Sequence, residues 1–252
     1  MTKLLLDNID WYGTTSVEVI DLDNVSEPCQ LPDFPYKMYG GVGALTSSGP
    51  VVCAGAYFSY PESDFISQTG DCFVLQSDGH FVSKLRLQTP RVYASSIVTE
   101  DGRLMVIGGK GTELKNNPKY KDSEIVNVHT ANTEIGFELP KAISGHCSVR
   151  INSTTAMVFG GREKEDVTEW LKSTYFVNLE SFEITDGPEM EIERHREICH
   201  GATLEHDNRL YVIAAGGDTA STEVLDLTST TDLRWSKGIH FPLSLQTIYL
   251  NK

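Results

Sequence analysis

Short apolar runs recur along the chain at a regular interval. VVCAG (51–55), LMVIGG (104–109), AMVFGG (156–161) and YVIAAGG (211–217) end on glycines 55, 109, 161 and 217, in steps of 54, 52 and 56. A second run follows each: VEVIDL (17–22), DCFVL (71–75), EIVNV (124–128), YFVNL (175–179) and EVLDL (223–227). Their last residues step by 53, 53, 51 and 48. Two independent markers thus share one period near fifty, the signature of a repeat architecture. The runs are rich in Val, Ile, Leu, Tyr and Phe and are bounded by glycine or polar turn residues, which predicts strands. An alternating stretch and a tight turn precede each first marker. These turns are Ser48-Gly49, Asp101-Gly102, Asn152-Ser153 and Asp207-Asn208. Such residues tolerate the positive φ of a two-residue hairpin. A further turn, Asp78-Gly79, follows the second marker. The predicted unit is four antiparallel strands, a to d.

Units of this size match the blade of a β-propeller, in which radial stacking covers both faces of each sheet and leaves only short outer edges. The c strand occurs five times and the clear b strand four times. Residues 3–6 supply a weak extra b strand at the start, and LSLQTIYLNK supplies an a strand at the end. The expectation is an all-β propeller of four-stranded antiparallel blades over residues 1–252 as one domain. It has five blades, with the C-terminal strand closing the N-terminal blade. The alternative is part of a larger propeller. DVTEWLKS (166–173) reads as an exposed loop.

The repeat resembles the kelch family. The residues that carry the likeness are the glycine pairs Gly108-Gly109, Gly160-Gly161 and Gly216-Gly217, Trp235 with Pro242, and the junction Thr89-Pro90-Arg91. Prolines 32, 90, 140 and 188 recur with the unit, while Ala54-Gly55 departs from the glycine pair. The resemblance implies a propeller that binds a protein or peptide.

Composition narrows the function further. There are 35 acidic and 21 basic residues, a formal net charge of -14. That balance argues against nucleic-acid or anionic-membrane partners, which need basic surface. No apolar stretch approaches the length that spans a bilayer. The five cysteines (29, 53, 72, 147, 199) are odd in number and show no paired spacing, which favours free core thiols and a cytoplasmic location. His195, Cys199, His200 and His206 form the densest group of possible ligands, but Cys199 and His200 should point to opposite faces of a strand. His146 and His200 each lie thirteen residues before an apolar residue of strand b, Phe159 and Ile213, and read as matching repeat positions packed by hydrogen bonds. The glycine pairs lack the context of a phosphate loop. No metal or cofactor is expected.

Candidate binding residues lie in the b–c loops, at 7–16, 56–70, 110–122, 162–173 and 218–221. They are Trp11, Tyr12, Tyr57, Phe58, Tyr60, Phe65, Tyr120 and Trp170. Large aromatics are not needed by a solvated loop, and they anchor many protein interfaces. The lysines 110, 115, 119 and 121, and the run Glu189, Glu191, Glu193, Arg194, Arg196 and Glu197, read as solvated charge around them. The sequence therefore predicts a non-catalytic protein-interaction module. The alternative is a propeller enzyme acting on a sugar or other small polar substrate.

Overall fold

The structure is a computed structural model. It describes residues 2–6, 17–21, 29–30, 32–58, 66–112, 118–163, 170–194, 199–216, 221–228 and 232–238, with the backbone alone at 2–6, 17–21, 29–30, 58 and 66–68. The chain divides into two compact units, Met1–Glu138 and Leu139–Lys252.

In unit 1 the first sheet pairs β1 (Thr2–Leu6), β2 (Val17–Asp21) and β3 (Cys29–Gln30), all antiparallel. Next come β4 (Met38–Tyr39), β5 (Val42–Thr46), β6 (Gly49–Cys53), β7 (Ala56–Phe58), β8 (Ile66–Gln68), β9 (Asp71–Leu75) and β10 (Phe81–Arg86). They form a four-stranded sheet in the order β10-β9-β6-β5 and a small sheet β4-β7-β8. The last sheet of the unit runs β11 (Ser95–Val98), β12 (Leu104–Ile107), β13 (Asp122–Asn127) and β14 (Asn132–Glu138). Unit 2 holds two further up-and-down sheets. One is β15 (Cys147–Arg150), β16 (Thr155–Phe159), β17 (Thr174–Asn178) and β18 (Ile184–Asp186). The other is β19 (Cys199–His206), β20 (Arg209–Gly216), β21 (Thr222–Asp226) and β22 (Trp235–Lys237).

Both apolar markers fall on the two middle strands of their sheets. Those strands are covered on both faces, so they read as continuous apolar runs rather than alternating ones. All four residues of β12 are buried. In unit 1, Val42, Val51, Val74, Leu87, Leu104, Val106 and Val126 share one core. In unit 2, Val149, Met157, Phe159, Met190, Val212, Leu225 and Trp235 share another. The Trp235 indole N–H donates to Pro188 O at 3.1 Å, and its ring lies 5.4 Å from that of Phe159. The hairpin turns have the expected backbone: Asp207 and Asn208 have φ of 50° and 59°, and Gly102 has 79°. The glycines that follow β12 and β16 are required sterically. A Cβ at Gly109 (φ 95°) would lie 2.8 Å from Val92 O, and one at Gly161 (φ 87°) would lie 2.9 Å from Ser144 O.

Three expectations are corrected here. The segment 56–70 is not a plain loop: β7 and β8 form a hairpin that adds to β4. Four of the five cysteines are not free core thiols. Cys53 and Cys72, opposite each other on β6 and β9, form one disulfide. Cys147 and Cys199 form a second that joins the first strands of two successive sheets. Finally, His146 and His200 are not equivalent. Relative to the glycine pair, His200 faces Ala215 as Cys147 faces Phe159, one step out of register with His146.

Candidate functional site

Among the described residues the buried charge is shared between two d–a connections, which supply Arg91 and Arg194, and the c strands beside them, which supply Glu124 and Glu223. In unit 1 the Arg91 guanidinium is fully buried. Its Nη2 donates to Asp122 Oδ2 (2.6 Å) and Glu124 Oε1 (2.7 Å), and its Nη1 to the Gly108 and Asp122 carbonyls (2.9 and 3.1 Å). Glu124, also fully buried, accepts the backbone N–H groups of Gln88 (2.6 Å) and Thr89 (3.0 Å). In unit 2 the pattern repeats. Arg194 Nε donates to Glu223 Oε2 (3.2 Å), and Nη1 to the carbonyls of Gly216 and Ser221 (3.0 and 2.9 Å). Glu223 accepts the N–H groups of Glu191 (2.6 Å) and Ile192 (3.1 Å). Burial pushes the Arg194 pKa down, and the charge and hydrogen bond of Glu223 oppose it. Arg194 is thus no part of a solvated run. Each carboxylate on a c strand pins the connection that leads into its own sheet.

Above these clamps the residue after the glycine pair projects a cation onto an aromatic ring. In unit 1 the Lys110 backbone pairs with Val92 in both directions (2.9 Å each) and bridges Lys119 on its other side. Lys110 Nζ sits 5.2 Å from the Tyr93 ring centroid, and Tyr93 lies 6.1 Å from Tyr39. The Arg91 guanidinium is 5.2 Å from the Tyr120 ring. In unit 2, Arg162 pairs with Ser144 (3.0 and 3.1 Å) and lies 5.0 Å from the Trp170 ring.

Of the sequence candidates, Tyr120 and Trp170 stand in these arrangements, each in its own unit. Tyr57 belongs instead to strand β7. It is half-buried and stacks on Tyr36 at 5.5 Å, beside the cluster of Phe34, Met38, Val52 and Phe73. For Phe58 the structure describes the backbone only, and Trp11, Tyr12, Tyr60 and Phe65 lie outside the described residues. The sequence reading missed Glu124, Glu223 and Tyr93. The signal for the two glutamates was a lone carboxylate in an otherwise apolar strand, beside a repeating d–a connection.

His200 is half-buried, with Nε2 out of contact with solvent, and burial pushes its pKa down to about 4. An unfolded histidine titrates near 6.5. Between these values the unfolded chain binds the extra proton, so the contribution to stability is complete above pH 6.5. It declines as pH falls to about 4 and is flat below that. The expected loss over that whole range is roughly 3–3.5 kcal/mol at ~1.4 kcal/mol per pKa unit, most of it reached by pH 4.5. Urea unfolding at pH 7.5 and 4.5 should show a larger acid loss in the wild type than in His200→Gln. Equal losses would refute the assignment. Among the described residues, no group of three or more His, Cys, Asp or Glu side chains is placed to hold a metal ion.

Comparison with known proteins bears on both functional expectations. No family model matches the chain. It is 28% identical over 154 residues to an N-acetylneuraminate epimerase of Salmonella arizonae, covering 59% of this chain and 36% of that protein. It is likewise 28% identical over 160 residues to the N-acetylneuraminate epimerase of Salmonella enteritidis, covering 60% and 37%. The chain thus spans little more than a third of the length of these curated relatives. The solved structure of YjhT superposes with a TM-score of 0.64 at 16% identity, over 84% of this chain and 68% of that one. The chain is an all-β propeller of four-stranded antiparallel blades.

The kelch resemblance is corrected by these likenesses, which run to a different group of proteins. Its main carriers, the glycine pairs, answer to a backbone requirement of the blade: positive φ, and at Gly109 and Gly161 close approach to the segment that enters the a strand of the same blade. The expectation of a non-catalytic module with a protein or peptide partner falls with it, because both curated relatives bear the name of an enzyme that acts on a sugar acid.

Proposed function

We propose that this chain is a propeller enzyme acting on a sugar acid, with N-acetylneuraminate as the first substrate to test and inversion of a sugar stereocentre as the reaction class. The observation that carries the reading is the 28% identity to two N-acetylneuraminate epimerases across 154 and 160 residues. The chemistry of the loop residues supports it. A carboxylate ligand suits cations held in place by aromatic rings, and Lys110 and Arg162 are such cations in a chain of net charge -14. In this reading Tyr120 and Trp170 serve a sugar rather than a protein partner.

Purified protein should catalyse exchange between stereoisomers of N-acetylneuraminate, followed by proton NMR from a sample enriched in one form. Relaxation at the uncatalysed rate with micromolar protein would count against the reading. For the finer architecture, the same proposal takes residues 1–252 as one domain. A strand from the last ten residues completes the three-stranded sheet β1-β2-β3 as the fifth blade. Spin labels at positions 3 and 248 should then report a separation within two strand spacings, about 10 Å.

A further inference from the structure

The two buried arginines are held by the same backbone and differ in what their outer nitrogen meets. Nη1 of each donates to the first glycine of its pair, Gly108 O or Gly216 O. It also donates to the residue two before the buried glutamate, Asp122 O or Ser221 O. Ser221 is therefore the counterpart of Asp122, as Glu223 is of Glu124. A guanidinium has five N–H donors to place. In Arg91 all are used: Nε donates to Thr89 O (3.2 Å) and Nη2 to both carboxylates. In Arg194, Nε takes the glutamate instead, Nη1 serves the two carbonyls, and Nη2 is buried with no hydrogen-bond partner. Buried polar groups are nearly always hydrogen-bonded, and an exception calls for a reason.

The Arg91 cluster shows what such a nitrogen takes. Its Nη2 holds two carboxylates at 2.6 and 2.7 Å. The Asp122 side chain is 27% exposed although Arg91 is fully buried. A carboxylate can thus cap the buried Nη2 and still face solvent. Among the described residues Arg194 has one carboxylate partner where Arg91 has two. A carboxylate brought by a ligand would make the two clusters equal in charge and in acceptors, and hydrogen bonds between ionised partners are the strong ones. The location suits a ligand. β20 ends at Gly216 and β21 begins at Thr222, so the b–c and d–a connections of this blade converge on the guanidinium. The Arg194 carbonyl also accepts the N–H of Gly161 (3.1 Å), the neighbour of Arg162.

We infer that Arg194 Nη2, beside Ser221, binds the carboxylate of a sugar acid as Arg91 Nη2 binds that of Asp122. The inference rests on the sugar-acid reading above for its substrate class, and on the comparison of the two clusters for its location.

The test titrates N-acetylneuraminate by calorimetry into the wild type, Ser221→Asp, Ser221→Asn, Arg162→Met and Lys110→Met, with a thermal melt of each. N-acetylmannosamine, which lacks the carboxylate, is the neutral control. Ser221→Asp brings the chain's own carboxylate to Nη2. It is expected to weaken N-acetylneuraminate roughly ten- to a hundredfold, the range for one lost charge-assisted hydrogen bond. Its melting temperature should hold or rise, and the neutral sugar should lose nothing. Ser221→Asn, similar in size but uncharged, should weaken the acid less. Unchanged affinity in Ser221→Asp overturns the subsite; if Arg162→Met or Lys110→Met then weakens the acid, the sugar-acid reading survives without it. An equal loss of acid and neutral sugar in Ser221→Asp overturns it too. So does unfolding of both Ser221 variants, since a place that cannot admit a side-chain carboxylate cannot admit a ligand's. If the wild type ignores N-acetylneuraminate and glucuronate but binds lactate, and Ser221→Asp abolishes that binding, the sugar-acid reading falls and the carboxylate site stands. If it binds none of the three acids, both fall.

Discussion

Glu223→Ala should lower stability by about 3–5 kcal/mol, the cost of stranding one partner of a buried ion pair. The variant leaves the fully buried Arg194 without its counter-charge, and it removes the acceptor for the Glu191 and Ile192 N–H groups. Ser221 stands where Asp122 assists Arg91, so no second carboxylate is in place to compensate. The melting temperature should fall by roughly 10 °C, given ~2–4 °C per kcal/mol for a chain of this size. The repeat itself supplies the control. In the preceding blade the corresponding positions are Ile143 and Tyr175, both buried and apolar in character. In the β5–β10 blade they are Met38 and Phe73, members of one apolar cluster. The architecture therefore accepts either solution. The double variant Arg194→Ile with Glu223→Tyr should recover most of the lost stability, because a well-packed apolar pair can equal a buried ion pair. Urea unfolding of the three proteins checks this. A Glu223→Ala midpoint equal to wild type would show that the pair carries no such energy. Failure of the double variant to recover would show that pinning the 188–194 connection is the irreplaceable part.

This alternation explains why the strands were legible in the sequence while the site was not. The b strands are buried on both faces, so each appears as an unbroken apolar run closed by glycine. Nothing else competes for that pattern at a fifty-residue period. The chemistry lies in how repeats differ, and differences emerge only after register is known. Arg194 sits among six charged residues and looks solvated, yet a lone glutamate on β21 draws it inside. Ser221 looks like an ordinary loop serine until Asp122 aligns with it. The histidine correspondence failed for the same reason: counting thirteen residues back from Phe159 and from Ile213 treated them as equivalent, whereas Ala215 is the residue that precedes the glycine pair as Phe159 does, and His200 lies opposite it. Function was further out of reach, since a propeller hosts binding and catalysis alike and the decision belongs to side chains on the loops. The segment 56–70 misled because its composition is that of a loop, whereas β7 is held by pairing to β4, earlier in the chain, and β8 by pairing to β7.

The cysteines were the other silent feature, and they yield the second large effect. Cys147 and Cys199 are 52 residues apart, one repeat, and that spacing is itself the clue: residues one period apart on the first strands of successive blades are neighbours. Cys53 and Cys72 are 19 apart and directly opposed on paired strands. Both bridges lower the entropy of the unfolded chain, more so for the longer loop. The loop-closure relation assigns about 4 kcal/mol to Cys147–Cys199 and about 3 kcal/mol to Cys53–Cys72. The difference between their consequences should exceed that gap. The short bridge crosslinks strands that already share a β-ladder. The long one ties two blades whose a strands share no ladder, so removing it frees their packing as well. Cys147→Ser with Cys199→Ser is therefore expected to be the more destabilised pair in urea unfolding, and to lose hydrogen-exchange protection first along β15 and β19. Of the five cysteines, four are bridged, so the unreduced, denatured chain should present one titratable thiol, that of Cys29. A count of five thiols in protein purified without reductant would remove the bridges from the account. A count of one, with the Cys53→Ser and Cys72→Ser pair the more destabilised, would instead place the main constraint within the blade rather than between blades.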